Sequence, residues 1–228
     1  MQRNVKVLIL LENRLSFLLS SKLIFHITHI DNLTDILQFN AILCKNMVLQ
    51  NGLNPISIAY EGIQDRRHTF NVPIIPGGVL HDYVPFSFAP RSPMLYTIKL
   101  GNVLNYNQGQ EKLIYLVSDT KSIIDAGLQF VFTNGHPIVI LSNFFNNINL
   151  LDTEIDWKIM KEKYWRDTPL DPDRKRRRQA EFLVFNSLPF NLILGIGVYD
   201  NTILQRIEQI LKRFNSQTSC KIKSTWYY

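Results

Sequence analysis

Residues 72–100, VPIIPGGVLHDYVPFSFAPRSPMLYTIKL, carry five prolines and a Gly-Gly pair. Proline cannot donate to a β-ladder and breaks a helix interior. The stretch therefore predicts loop alternating with short edge strands, and the core must come from its flanks. LIFHITHI (23–30) has the β-branched content of a strand, and Asp31-Asn32 can cap a helix through Thr34–Phe39. KNMVLQNGLNPISIAY (45–60) carries turn signals with little periodicity, and EGIQDRRHTF (61–70) predicts a short helix. Strand-like runs follow at MLYTIKL, LIYLVSD, LQFVFT, AEFLVF and PFNLILGIGVYD. Between them, residues 134–179 are polar with helical patches at NFFNNINLL and IDWKIMKEKYW. TILQRIEQILKRF puts Ile203, Ile207, Ile210 and Leu211 at helical spacing. Mixed strands with helices at the margins predict one α+β domain.

At 228 residues, with 46% hydrophobic and 19% charged residues, the chain has globular composition and can bury a substantial core. Two distant cysteines, Cys44 and Cys220, without a CxxC, fit a reducing compartment. The apolar N-terminus is interrupted by Glu12, Asn13 and Arg14. It falls short of the roughly 20 apolar residues of a membrane span and lacks a signal cleavage pattern. We expect a cytoplasmic protein without a membrane partner, with residues 1–21 as an N-terminal extension and 22–228 as a single domain.

The net charge of +6 favours a polyanionic partner only weakly, but Arg174, Lys175, Arg176, Arg177 and Arg178 are consecutive. This run is either a phosphate-contacting surface or a solvated helix face. Directly after it, Glu181 enters AEFLVF, where it shares a strand face with Leu183 and Phe185. A carboxylate there is either a solvated strand end beside Arg177 or Arg178, or a group facing a cleft. In IQDRRH the adjacent Arg66 and Arg67 cannot share a helix face, so one is solvated while the other can point inward. HDYVPFSFAPRSPMLY (81–96) is a rigid aromatic loop around Arg91 that suits stacking on a planar ring or simple packing. His26 and His29 fall on opposite faces of a strand, which disfavours zinc. GxGxxG, GxxxxGK[ST] and GxSxG are all missing.

Taken in order, FHITHIDNL, IQDRR, PGGVLHDYVPFSFAPRSPMLY, FVFTNGH, QAEFLV and the terminal WYY resemble the DarT family of DNA ADP-ribosyltransferase toxins, across residues 22–228. The resemblance implies a split, mostly antiparallel β core with an NAD cleft between two small sheets. It implies transfer of ADP-ribose from NAD, without a metal, to a base in single-stranded DNA, usually thymine in a short context. The consequence would be blocked replication, within a toxin–antitoxin pair whose partner is DarG, a macrodomain antitoxin. Guanine, RNA or protein as acceptor, or a non-catalytic nucleic-acid-binding role, are the alternatives.

The same resemblance gives Glu181 the place of the transferase glutamate and Arg67 a catalytic role that also touches NAD. His26, Ile27 and Thr28 occupy the first strand of the cleft, with Asn32, Asp35 and Leu43 edging it. Residues 47–67 correspond to the element covering NAD, and 133–181 to the substrate-recognising loop with His136 at its start. His136, Arg91, Met94 and the cations Arg174, Lys175, Arg176, Arg177 and Arg178 are the expected DNA contacts. Ser87 stands where similar sequences carry an aromatic, and the N-terminal extension is longer than in the family. Arg67 is given the part of proton acceptor in the family; a guanidinium stays protonated at neutral pH. We therefore expect it to stabilise the deprotonated base and the NAD diphosphate instead.

Overall fold

The computed structural model describes residues 21–228, so all but Ser21 of the expected N-terminal extension lies outside it. Eight strands make one sheet: β1 Leu23–His29, β3 Tyr83–Ser87, β4 Leu113–Asp119, β5 Phe130–Thr133, β6 Phe144–Phe145, β7 Glu181–Phe185, β9 Gly195–Val198 and β10 Cys220–Ile222. Their order is β10-β9-β4-β1-β3-β7-β5-β6, antiparallel except for the β9–β10 pair. A second sheet pairs β2 Ala41–Leu43 with β8 Ser187–Pro189. This is the expected α+β architecture. Among the described residues no helix is long and apolar enough to cross a membrane.

β4 shows why its first five residues, Leu113–Val117, run continuously apolar. All seven positions are buried, and they alternate between two cores. Ile114 and Leu116 join Ile24, Ile196 and the Ile203, Ile207 and Leu211 face of helix Asn201–Arg213. Leu113, Tyr115 and Val117 join Phe25, Leu95 and Ile98 on the other face. A strand covered on both sides needs no polar alternation.

The sheet divides at β1 and β3. β1 keeps full register with β4 over seven pairs but meets β3 at one pair, Phe25 with Ser87. Pro85 sits in this interior strand, which corrects the edge-strand expectation. The Pro85 carbonyl accepts from His26 Nδ1 at 2.9 Å. N–H and C=O of one strand residue share an edge, so the missing donor of Pro85 faces the split rather than the β3–β7 ladder. Ser87, the departure from the family pattern, ties the seam by donating to the Phe25 carbonyl at 3.2 Å.

Three further segments depart from expectation. MLYTIKL is not a strand: residues Pro93–Lys99 are a helix, with Ser92 Oγ accepting from the Leu95 N–H and Pro93 in the first turn. The cap and the burial of Leu95 and Ile98 outweigh the β-propensity of the run. Lys45–Gln50 forms a short helix capped by Cys44 within the segment expected as turn. Between β8 and β9, residues Phe190–Leu192 make a 3-10 turn instead of continuous strand. Loss of a serine cap costs about 1 kcal/mol. Ser92→Ala is therefore expected to lower unfolding stability by that amount, read as a lower urea midpoint with an unchanged slope of the transition.

Candidate functional site

Past the Phe25–Ser87 pair, residues His26–Thr28 of β1 line a cavity of about 190 Å³ together with β2, Ala41–Leu43. Its lining includes His26, Ile27, Thr28, Asn32, Asp35 and Leu43, so the structure brings together all six residues expected along the cleft. Residues 53 and 55–59, within the expected cover, close another side. Asn32 holds that cover in place. Its Oδ1 accepts from the Ile56 N–H at 2.8 Å, and its Nδ2 donates to the Ile56 carbonyl and to Thr28 Oγ1, both at 3.0 Å. Asn32 thus spends its side chain across the cleft and gives no side-chain cap to the following helix, contrary to expectation.

Gln64 also lines the cavity. Three residues later on the same face of helix Glu61–Thr69 lies Arg67. Arg66 is exposed and Arg67 buried, the division their adjacency requires. Arg67 Nη1 donates to both oxygens of Glu181 at 3.0 Å, with side-chain exposures of only 8% and 18%. Local folding explains the meeting. Leu183 and Phe185, on Glu181's face of β7, pack in the cluster that takes Ile63 and Phe70 from and beside the helix. The Glu181 backbone is fixed as well, since its N–H donates to Thr133 Oγ1 at 3.1 Å. Arg67 Nη2 is buried with no hydrogen-bond partner among the described residues. A buried unpaired donor is costly unless a ligand meets it.

His81 is a part of the site that sequence reading missed. It is buried beneath the helix, and its Nε2 lies 3.2 Å from Gln64 Oε1. Burial pushes its pKa down to about 4, helped by Arg67, His68 and Lys45 and opposed by Asp82. The signal was its place in the HDYVPF motif, but nothing in one sequence says which way the ring turns. His26 and His136 are also shifted down, first by burial; the Pro85 carbonyl opposes this at His26 and Glu181 opposes it at His136. His29 packs against Tyr106 away from His26, and no cluster of three potential metal ligands occurs among the described residues.

The basic run folds as helix Arg174–Arg178, but its cations turn inward. Arg178 is 4% exposed and donates to the carbonyls of Arg91, Ile159 and Met160. That removes it from the DNA-facing set. Arg177 pairs with Asp156, Asp171 and Asp173, and Arg176 with Asp173. Arg174 reaches the carbonyls of Tyr164 and Arg166. Only the Lys175 side chain is exposed and without a polar partner among the described residues. The run is not simply the solvated face that its composition allowed, because four of its five cations are tied to the fold. Arg91 stacks over the Tyr228 ring at 4.4 Å, and Met94 packs against the Phe25 cluster, so both are held by the fold itself.

The family model described as "ssDNA thymidine ADP-ribosyltransferase, DarT" matches residues 25–228. A DNA ADP-ribosyl transferase of Thermus sp. (strain 2.9) is 43% identical over 207 residues, covering 90% of this chain and 95% of the relative. The solved structure of Thermus sp. 2.9 DarT in complex with ADP-ribosylated ssDNA superposes with a TM-score of 0.83 at 42% identity, covering 91% of this chain and 96% of that one. The same protein in complex with NAD+ gives 0.79 at 39% identity, covering 91% and 98%.

A histidine buried neutral opposes folding only where the unfolded chain is protonated. The contribution of His81 is complete above the ordinary histidine value of about 6.5 and is lost as pH falls from there toward 4. Stability measured by urea unfolding is expected to fall across that window, with roughly 3 kcal/mol of the fall coming from His81. His81→Asn is expected to make the fall shallower; an unchanged profile contradicts the assignment.

Proposed function

The chain belongs to the DarT family of DNA ADP-ribosyltransferases, and we propose that it transfers ADP-ribose from NAD to thymine in single-stranded DNA and releases nicotinamide. One observation carries this reading. The Arg67–Glu181 pair, with a buried unpaired donor, stands one helical turn from a cavity lined by His26, Ile27, Thr28, Asn32, Asp35 and Leu43, six of the seven residues expected to touch NAD. The donor fits an oxygen-rich ligand such as a ribose or a diphosphate.

Breaking a nicotinamide–ribose bond develops oxocarbenium character, as in glycoside hydrolysis. A carboxylate held rigid before the reaction stabilises that charge without reorganising. Glu181 is such a group, anchored by Arg67 at its side chain and by Thr133 at its backbone. Nicotinamide leaves neutral from a cationic precursor, so no second acid is needed. Arg67 orients Glu181 through Nη1, leaving Nη2 to stabilise negative charge on the diphosphate or on the deprotonated base. The inward-turned basic helix weighs against a non-catalytic binder built on a cationic patch. A toxin role that blocks replication, countered by a macrodomain antitoxin, extends the reading through the family resemblance.

Labelled NAD and single-stranded oligonucleotides differing in one base test it. Label is expected on thymine-containing strands. A preorganised charged contact contributes about 3–4 kcal/mol to a transition state, so Glu181→Gln should lose about 10²–10³-fold in rate. Label on guanine alone, on RNA or on protein replaces the acceptor; gel-shift binding with no label anywhere contradicts the enzyme. Single-turnover rates against pH for Arg67→Lys and Arg67→Ala examine the arginine, and both are expected to be severely impaired. Near-parent rates in Arg67→Lys contradict the geometric role.

A further inference from the structure

Resting on the reading of the chain as a DNA-directed transferase, we propose that Arg176 is a positioning residue. It clamps the turn carrying His136 onto the helix that leads into Glu181, so that the acceptor base is presented to the carboxylate. The guanidinium of Arg176 is used in three directions. Nε and Nη2 donate to the two carboxylate oxygens of Asp173 at 2.7 and 2.6 Å. Nη1 donates to Ser142 Oγ at 3.1 Å and reaches the Asn134 carbonyl. The Arg176 backbone carbonyl accepts the His136 N–H at 3.0 Å. The turn is tied from its other end by Thr133, whose hydroxyl donates to the Gly135 carbonyl at 2.7 Å while accepting from the Glu181 N–H. Arg66 adds a bond to the Ile138 carbonyl. Residues 133–138 are therefore fastened to the strand of Glu181, the helix of Arg67 and Arg176 itself.

Gly135 supplies an independent observation. A Cβ there would lie 2.8 Å from Ser142 Oγ and 3.0 Å from Arg176 Cζ, and closer still to Nη1. A residue with a Cβ at 135 cannot keep the Arg176 guanidinium where it stands. A side chain at 135 would displace Arg176 from its partners without altering any charge.

A phosphate contact and a clamp make opposite demands. A phosphate contact needs only a cation, so lysine serves in part, and its loss makes the salt dependence shallower by about 0.7 in slope for a single strand. A clamp needs the planar fork, so lysine fails and the slope is unchanged.

The test uses the full chain as parent, Arg176→Lys and Gly135→Ala. Amide hydrogen exchange across residues 134–143 is expected to accelerate about 10-fold or more in both variants, first at His136, while β5 and β7 keep parent protection. Should Arg176→Lys lose protection throughout those strands, Ser142→Ala, which removes one bond, provides the comparison. Parent-like exchange at His136 overturns the proposal. In transfer assays both variants are expected to lose about 10-fold or more in kcat, with KM for NAD within about twofold and the salt slope unchanged. A shallower slope with kcat retained in Arg176→Lys, and parent-like behaviour of Gly135→Ala, assigns Arg176 to phosphate instead. A parent that labels no oligonucleotide contradicts the transferase reading, and the exchange measurement then decides the clamp alone.

Discussion

Arg67 and Glu181 hold opposite charges 3.0 Å apart, mostly out of water, between a helix and a strand that lie 114 residues apart in sequence. Two such charges can stay in a protein only together. Removing one partner of a buried pair strands the other, at about 3–5 kcal/mol when burial is complete. This demand fixes how helix Glu61–Thr69 sits on β7. It also sets Gln64 at the cavity wall and His81 beneath the helix. The pair does not saturate its own donors: Nη2 of Arg67 is buried without a hydrogen-bond partner among the described residues.

A second constraint is the single register pair between β1 and β3; beyond it, His26–Thr28 of β1 line the cavity. Pro85, having no N–H to offer, makes the opening inexpensive, and His26 spans the gap through a side chain. Asn32 then closes the cover from the β1 side by gripping the backbone of Ile56. Strand separation, proline and amide clamp act together, and each is intelligible only with the other two.

Much of this was legible in the sequence. LIFHITH, LIYLVSD and EFLVF are buried runs whose β-branched and aromatic residues leave few alternatives, and helix Asn201–Arg213 announces itself by spacing. The face of Glu181 followed from alternation, and the inward turn of one arginine from helical geometry. MLYTIKL misled because its propensity is that of a strand, although Ser92-Pro93 was a cap signal in plain view. The basic run misled more deeply. Asp171 and Asp173 stand at helical spacing ahead of Arg174, Arg176 and Arg177, yet counting cations hides their partners, and Asp156 is distant in sequence. His81 and the grip of Asn32 on Ile56 depend on ring and amide orientation, which only three-dimensional packing decides.

The cavity and the Arg67–Glu181 pair are proposed to form one NAD site. A crystal structure of Glu181→Gln soaked with NAD tests it most directly. The expected density places the nicotinamide ribose against residue 181, with Arg67 Nη2 donating to the ligand and the remainder of the molecule along His26, Thr28 and the residue 53–59 cover. Density for NAD elsewhere, or in the cavity with its ribose away from residue 181 and Nη2 still unpaired, would contradict it.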